Sequence, residues 1–172
     1  MKKYLYLLLV FAFTTAMAQS DNGKISKWET HKDKNYKFAI KFPRGAQVSE
    51  TETASGEGTS FRRNIEWKNN DDQYFTGFGI VAVLFKQGED LNVMSEKIAA
   101  EYPNHTKGVI TIAGQKAIHL HLGQQGLTGQ PLNIIIFTDR DNQYVYVLMC
   151  ISLEPGGEKL IRKFIGSFKF IK

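Results

Sequence analysis

The sequence predicts an α+β protein: a twisted antiparallel β-sheet of about six strands flanked by two main helices. Three observations carry this. Apolar residues alternate along several runs, the period of a half-buried strand. Short polar turns join those runs into hairpins, which makes the pairing antiparallel. Two further segments repeat apolar residues every three and four positions, and such a stripe needs a sheet face to cover.

Taken in order, Lys27 to Thr30 reads as a short first strand and Asp33-Lys34-Asn35 as a turn. Tyr36 to Phe42 alternates strictly, with Tyr36, Phe38, Ile40 and Phe42 on one face, and Pro43 stops it. Arg44 to Ser60 is polar, contains Gly45, Gly56 and Gly58, and reads as the longest loop. Arg63 to Lys68 is a strand, Asn69 to Asp72 a turn, and Tyr74 to Phe85 a long strand. Gly77 and Gly79 within it suggest a bulge or a close backbone approach. Asp90 suits an N-cap. The stripe Leu91, Met94, Ile98, Tyr102 follows it and ends at Pro103.

Gly108 to Ile112 and Lys116 to Leu122 form a hairpin about Ala113-Gly114-Gln115. Gly123 to Pro131 is a second Gly/Gln loop. Leu132 to Thr138 and Tyr144 to Ser152 form another hairpin about Asp139-Arg140-Asp141-Asn142. A last helix opens at Pro155-Gly156-Gly157 and buries Leu160, Ile161, Phe164, Ile165 and Phe168. Gly166 terminates it, and Ser167 to Ile171 turns back as a short edge strand.

The N-terminus carries an export pattern. Lys2 and Lys3 precede an apolar run from Tyr4 to Phe13, and Ala16-Met17-Ala18 places small residues at a signal-peptidase site. The run is too short to span a bilayer as a helix. Residues 1–18 are therefore expected to be a signal peptide, 19–26 a flexible leader and 27–172 a single domain, periplasmic or secreted. No transmembrane segment is expected in the mature chain. Cleavage removes two lysines and no acid, so 22 Lys plus Arg become 20 against 17 Asp plus Glu, a charge of +3. So mild an excess, scattered along the chain, does not suit nucleic acid. The lone Cys150 cannot form an internal disulfide, and its apolar strand predicts burial.

Two stretches carry a resemblance. Tyr36-Lys37-Phe38-Ala39-Ile40-Lys41-Phe42-Pro43 resembles the opening strand of the PsbP/Mog1-like α/β/α sandwich family. Phe164-Ile165-Gly166-Ser167-Phe168-Lys169-Phe170 resembles the close of that family's last helix and the tail after it. The order of elements between these ends agrees as well. Many members have a tryptophan shortly after the proline, where this chain has Arg44-Gly45-Ala46. The resemblance implies a non-enzymatic binding or accessory module, and it carries over no site residue.

Among residues that could bear chemistry, His119 and His121 share one face of a strand, with Ile118, Leu120 and Leu122 on the other. Two imidazoles so placed can join a third ligand around Zn or Cu, with Glu66 and Asp139 as candidates. The plain alternative is a pair of ordinary polar residues on the sheet. No other cofactor is expected. No nucleophile elbow or phosphate-binding glycine motif is present. Glu50, Glu52 and Glu57 lie in a loop that offers no burial to raise a carboxyl pKa, and Ser95 and Ser167 read as local hydrogen-bonders at helix ends. A hydrolase with an unrecognised site stays as an alternative. Asn104-His105-Thr106 matches a glycosylation sequon. Tyr74, Tyr144 and Tyr146 suit either the core or a ligand groove.

The leading expectation is an exported non-catalytic module that binds another envelope or secreted protein. Its surface would be the loops Arg44 to Ser60 and Gly123 to Pro131, since binding residues concentrate on loops. Arg44, Arg62, Arg63, Gln124, Gln125 and Tyr144 are the candidate contacts.

Overall fold

A computed structural model describes residues 25, 27–55, 58–70, 75–84, 90–100, 105–122, 132–153 and 155–172. The expected signal peptide and most of the expected leader, the expected loop Gly123 to Pro131, Asn104 of the sequon, and Tyr74 lie outside them. The described elements run β1 (Trp28–Asp33), β2 (Phe38–Pro43), β3 (Gln47–Ser55), β4 (Gly58–Asn70), β5 (Phe75–Leu84), α1 (Leu91–Ala100), β6 (His105–Ile112), β7 (Gln115–Leu122), β8 (Leu132–Thr138), β9 (Tyr144–Ser152), α2 (Gly157–Gly166) and β10 (Lys169–Phe170).

Every strand pair is antiparallel, as the hairpin turns require. The strands form two sheets, however. A seven-stranded sheet has the order β3-β4-β5-β9-β8-β7-β6, and a small sheet has the order β1-β2-β10. In the small sheet β2 turns Phe38, Ile40 and Phe42 inward, while Lys41 on its other side is exposed. It pairs with β1 and β10, and its apolar side packs across the large sheet.

Strand alternation divides the core in two. On one face of the large sheet, Ile65, Phe78, Ile80, Ile135, Phe137, Tyr146, Leu148 and Cys150 pack against Phe38, Ile40 and Phe42 of β2 and Phe164 of α2. On the other, Val81, Leu120, Ile134, Ile136, Val145 and Val147 pack under Leu91, Met94, Ile98 and Ala99 of α1. The result is three layers: α1, the large sheet, then α2 with the small sheet.

The predicted helices are both present. The Asp90 carboxylate accepts from the Asn92 amide at 2.6 Å, which caps α1. Both predicted hairpins are present too. Ala113 and Gly114 close β6–β7 at φ 47° and 82°, the doubly left-handed turn that matches strand twist.

Three expectations need correction. Arg44 to Ser60 is not a loop: β3 and β4 pair there residue for residue from Gln47↔Glu66 to Ser55↔Gly58. Its polar sequence hid this because it shows no apolar alternation, and only the β-branched Val48, Thr51, Thr53 and Thr59 favour a strand there. Gly77 and Gly79 mark no bulge. The register from Arg62↔Val83 to Asn70↔Phe75 is unbroken, and the glycines lie beside the long Lys68 and Glu66. Tyr36 precedes its strand, because Lys37 takes a positive φ of 53° and the strand begins at Phe38.

Candidate functional site

The seam between β1 and the β3–β4 edge holds a dense polar cluster. Arg63 of β4 stands opposite Glu50 of β3 and points to the α2 side. Its Nε lies 2.7 Å from Asp33 Oδ2 and its Nη2 3.5 Å from Glu50 Oε2. The closer approach is an ion pair by distance, not an aligned hydrogen bond. The Arg63 and Asp33 side chains are only 18% and 11% exposed, so water screens the pair weakly. The guanidinium also lies 5.8 Å from the Tyr36 ring centre.

Tyr36 sits at the centre of this group. Its amide donates to Asp33 Oδ1 at 3.1 Å and its hydroxyl to Glu50 Oε1 at 3.2 Å. Burial first, then the Glu50 carboxylate, pushes the Tyr36 phenol up to about 12, which keeps it a donor. Its ring meets Tyr144 edge-on at 5.7 Å, and Lys37 Nζ covers the Tyr144 ring at the same distance. Two predicted contacts, Arg63 and Tyr144, are thus brought to either side of Tyr36. Sequence reading missed Tyr36 and Asp33 in this role, since only the seam joins them to Arg63.

The other predicted contacts do not join them. Arg44 follows β2 with its side chain 74% exposed, 3.8 Å from Glu29, and its carbonyl accepts from Trp67 Nε1. Arg62 pairs with Val83 and points to the α1 side, away from Arg63. Gln124 and Gln125 fall outside the described residues. Tyr146 lines no groove. It is fully buried, because β2 and β10 close over it.

At the other end of the same face, His119 and His121 do point together. His119 Nε2 and His121 Nδ1 lie 3.0 and 3.1 Å from a single atom, Asn133 Oδ1. Asn133 stands opposite His121 on β8 and opposite Cys150 on β9. Its Nδ2 reaches the Cys150 carbonyl at 3.5 Å. Neither carboxylate named as third ligand is near. Glu66 lies four strands away, roughly 19 Å, and Asp139 lies six residues along β8 from Asn133, roughly 20 Å. Asp139 instead receives the amides of Gln143 and Tyr144 at 2.6 and 3.1 Å and builds the turn. Among the described residues no three His, Cys, Asp or Glu side chains gather as a metal-ligating group. Asn133 has one sequence signal: it is the polar residue within Leu-Asn-Ile-Ile-Ile-Phe.

Cys150 is buried with no exposure, and burial pushes its thiol up to about 12. That removes it as a nucleophile at neutral pH. Ser95 and Ser167 donate to the Asn92 and Phe164 carbonyls at 2.8 and 2.6 Å, the local role expected of them. An open depression of about 430 Å³ lies by the start of α2, lined by Ser152, Gly157, Lys159 and Arg162 among others. Arg162 is paired there with Glu158 at 3.0 Å. Among the described residues no helix is long and apolar enough to cross a membrane.

The β3–β4 hairpin has a further property. Arg62 is its last residue paired to β5, with Val83, and it faces Thr51 on β3. Beyond it lie the β3–β4 pairs Glu52↔Phe61, Thr53↔Ser60, Ala54↔Thr59 and Ser55↔Gly58, past the last β4–β5 pair among the described residues. These four pairs span about 14 Å at strand rise.

No protein-family model and no curated protein matches the chain. A structural likeness does exist: the solution structure of cyanobacterial PsbP (CyanoP) from Synechocystis sp. PCC 6803 aligns with TM-score 0.51. It covers 90% of this chain and 98% of its own, at 10% sequence identity. The likeness at that identity concerns the fold, and it agrees with the element order, the antiparallel sheet and the two helices. The chain has a PsbP-like α+β fold.

Proposed function

We propose that this protein is an exported, non-catalytic binding module that docks onto another envelope or secreted protein through the β3–β4 ribbon. The observation that carries this is that β3 is the edge strand of the large sheet among the described residues, with four β3–β4 pairs past the last described β4–β5 pair. A strand at the edge of a sheet accepts a partner strand or surface readily. The ribbon's base is fixed by Arg63, Asp33, Glu50 and Tyr36, so the arm leaves a rigid seam. Glu50, Glu52 and Glu57 make the segment acidic, and no lysine or arginine lies between Arg44 and Arg62. A partner surface of basic character fits it. Export is supported by the Lys2–Ala18 pattern alone.

The test places a photo-crosslinking residue at Thr53 in the native host, with Lys116 on β7 as the control position. Discrete adducts from the ribbon position, absent from Lys116, support the reading. They should vanish when residues 54–59 are replaced by Asn-Gly, which closes the hairpin at the Thr53↔Ser60 pair. Adducts that survive this shortening, or that form equally from Lys116, refute it. N-terminal sequencing of the protein from the same cells should begin at Gln19; a retained Met1 would remove the exported address.

A further inference from the structure

We propose that His119, His121 and Asn133 form a binding site for a divalent transition metal, best suited to Cu(II). The argument starts from the strand register. His119 and His121 are two residues apart on β7, so both project from the α2 side of the sheet. Asn133 faces His121 directly from β8. Both rings turn toward it, and one nitrogen of each meets the same amide oxygen, at 3.0 and 3.1 Å.

Those distances suit a metal. Ligands about 2.0–2.1 Å from a shared ion stand roughly 2.9 Å apart at right angles and roughly 3.4 Å apart in a tetrahedron. Two edges of a coordination polyhedron are therefore already near their final length, closer to the right-angled case. Two imidazole nitrogens and one oxygen with near-square edges are the donor set and geometry that Cu(II) prefers, and Cu(II) also heads the affinity order of divalent ions. In the metal-free form each ring donates an N–H to Asn133 Oδ1. On binding, the ion takes the place of those two protons. Each ring then carries its proton on the other nitrogen, so no proton need be released.

Among the described residues the site is open to an ion and its waters. His121 is exposed, and His119 and Asn133 are half-buried. Gly108 stands opposite His119 on β6, and a Cβ built there would meet nothing within 4 Å. From beneath, the Asn133 amide is held to the Cys150 carbonyl. A supported, partly ordered ligand binds more tightly than a free one. His105 pairs with Leu122 and points to the opposite face, so it takes no part.

The experiment titrates the purified protein with CuSO4 and, separately, ZnCl2, and follows the copper by electron paramagnetic resonance. One equivalent of Cu(II) with splitting from two imidazole nitrogens is expected, and weaker binding of Zn(II). His121→Ala and His119→Gln should each weaken copper binding at least about tenfold. Asn133→Leu should weaken it, while Asn133→Asp should tighten it, because a carboxylate replaces a neutral oxygen. His105→Ala should leave it unchanged. Copper bound without nitrogen splitting, equal binding by folded His121→Ala protein, or indifference to both Asn133 changes overturns the proposal.

Discussion

The buried Tyr146 hydroxyl donates to the Tyr36 carbonyl oxygen at 2.7 Å, joining residues 110 positions apart in the chain. This bond ties β9, at the centre of the large sheet, to the turn that enters β2 of the small one. Burial, with the Asp139 charge second, holds the Tyr146 phenol well above its ordinary value, so it remains a donor at every ordinary pH.

Tyr146→Phe keeps the ring stack and removes only that donor, leaving the Tyr36 carbonyl without its hydroxyl partner. A loss of about 1–3 kcal/mol is expected in urea unfolding. Tyr144→Phe, at a half-buried site, should cost clearly less. Equal effects would show that the inter-sheet bond contributes nothing particular.

Arg63→Met removes the cation from between Asp33 and Glu50. Two carboxylates then face each other in a weakly screened seam. A destabilisation of about 2–4 kcal/mol is expected by denaturant titration, toward the lower end because Glu50 retains some access to water. The double change Arg63→Met with Asp33→Leu should recover part of it, although the cap on the Tyr36 amide is lost as well. A double variant weaker than the sum of the singles would contradict this account.

Gly157 opens α2 against β9. A Cβ there would come within 2.7 Å of Ser152 Cβ and closer still to its hydroxyl. Gly157→Ala should therefore cost about 1–3 kcal/mol despite the better helix propensity of alanine. Ser152→Gly in the same chain should return most of the loss, with thermal melting as the measure. Gly166→Ala, where a Cβ meets nothing within 4 Å, is the control and should not destabilise by a comparable amount.

His31 projects inward from β1, edge-on to Phe42 at 5.5 Å, with its Nε2 buried and without a hydrogen-bond partner among the described residues. Burial lowers its pKa below 6.5, outweighing the opposing pull of Glu29. The unfolded chain then binds the proton more readily than the folded one between the two pKa values. Stability from this group is fully present above pH 6.5, falls as pH drops through that value, and levels off below the folded pKa. His31→Phe should flatten that part of the stability profile, measured by urea titration from pH 7.5 to about 5. An unchanged slope would show that His31 titrates alike in both states.

Much of the fold was legible from local pattern. Leu132 to Thr138 and Tyr144 to Ser152 were readable to the residue, because apolar strands bounded by a polar turn leave little choice. The burial of Cys150 and the shared face of His119 and His121 were readable for the same reason. The edge ribbon was not, since its polar sequence carries no apolar alternation and so no periodic signal. Asn133 was visible as a polar interruption, but nothing near it in sequence says that it lies opposite His121.

The sequence by itself determined which way each side chain points along its own strand or helix, because that follows from backbone period alone. It also determined that two striped helices would need a sheet to cover. Only the tertiary structure decided which strands became neighbours and in what register. That choice set β2 apart as a second sheet, placed Tyr36 between Arg63 and Tyr144, and brought Asn133 to the two histidines. Pairing is selected by burial and hydrogen bonding summed over the whole sheet, and no local stretch of chain contains that sum.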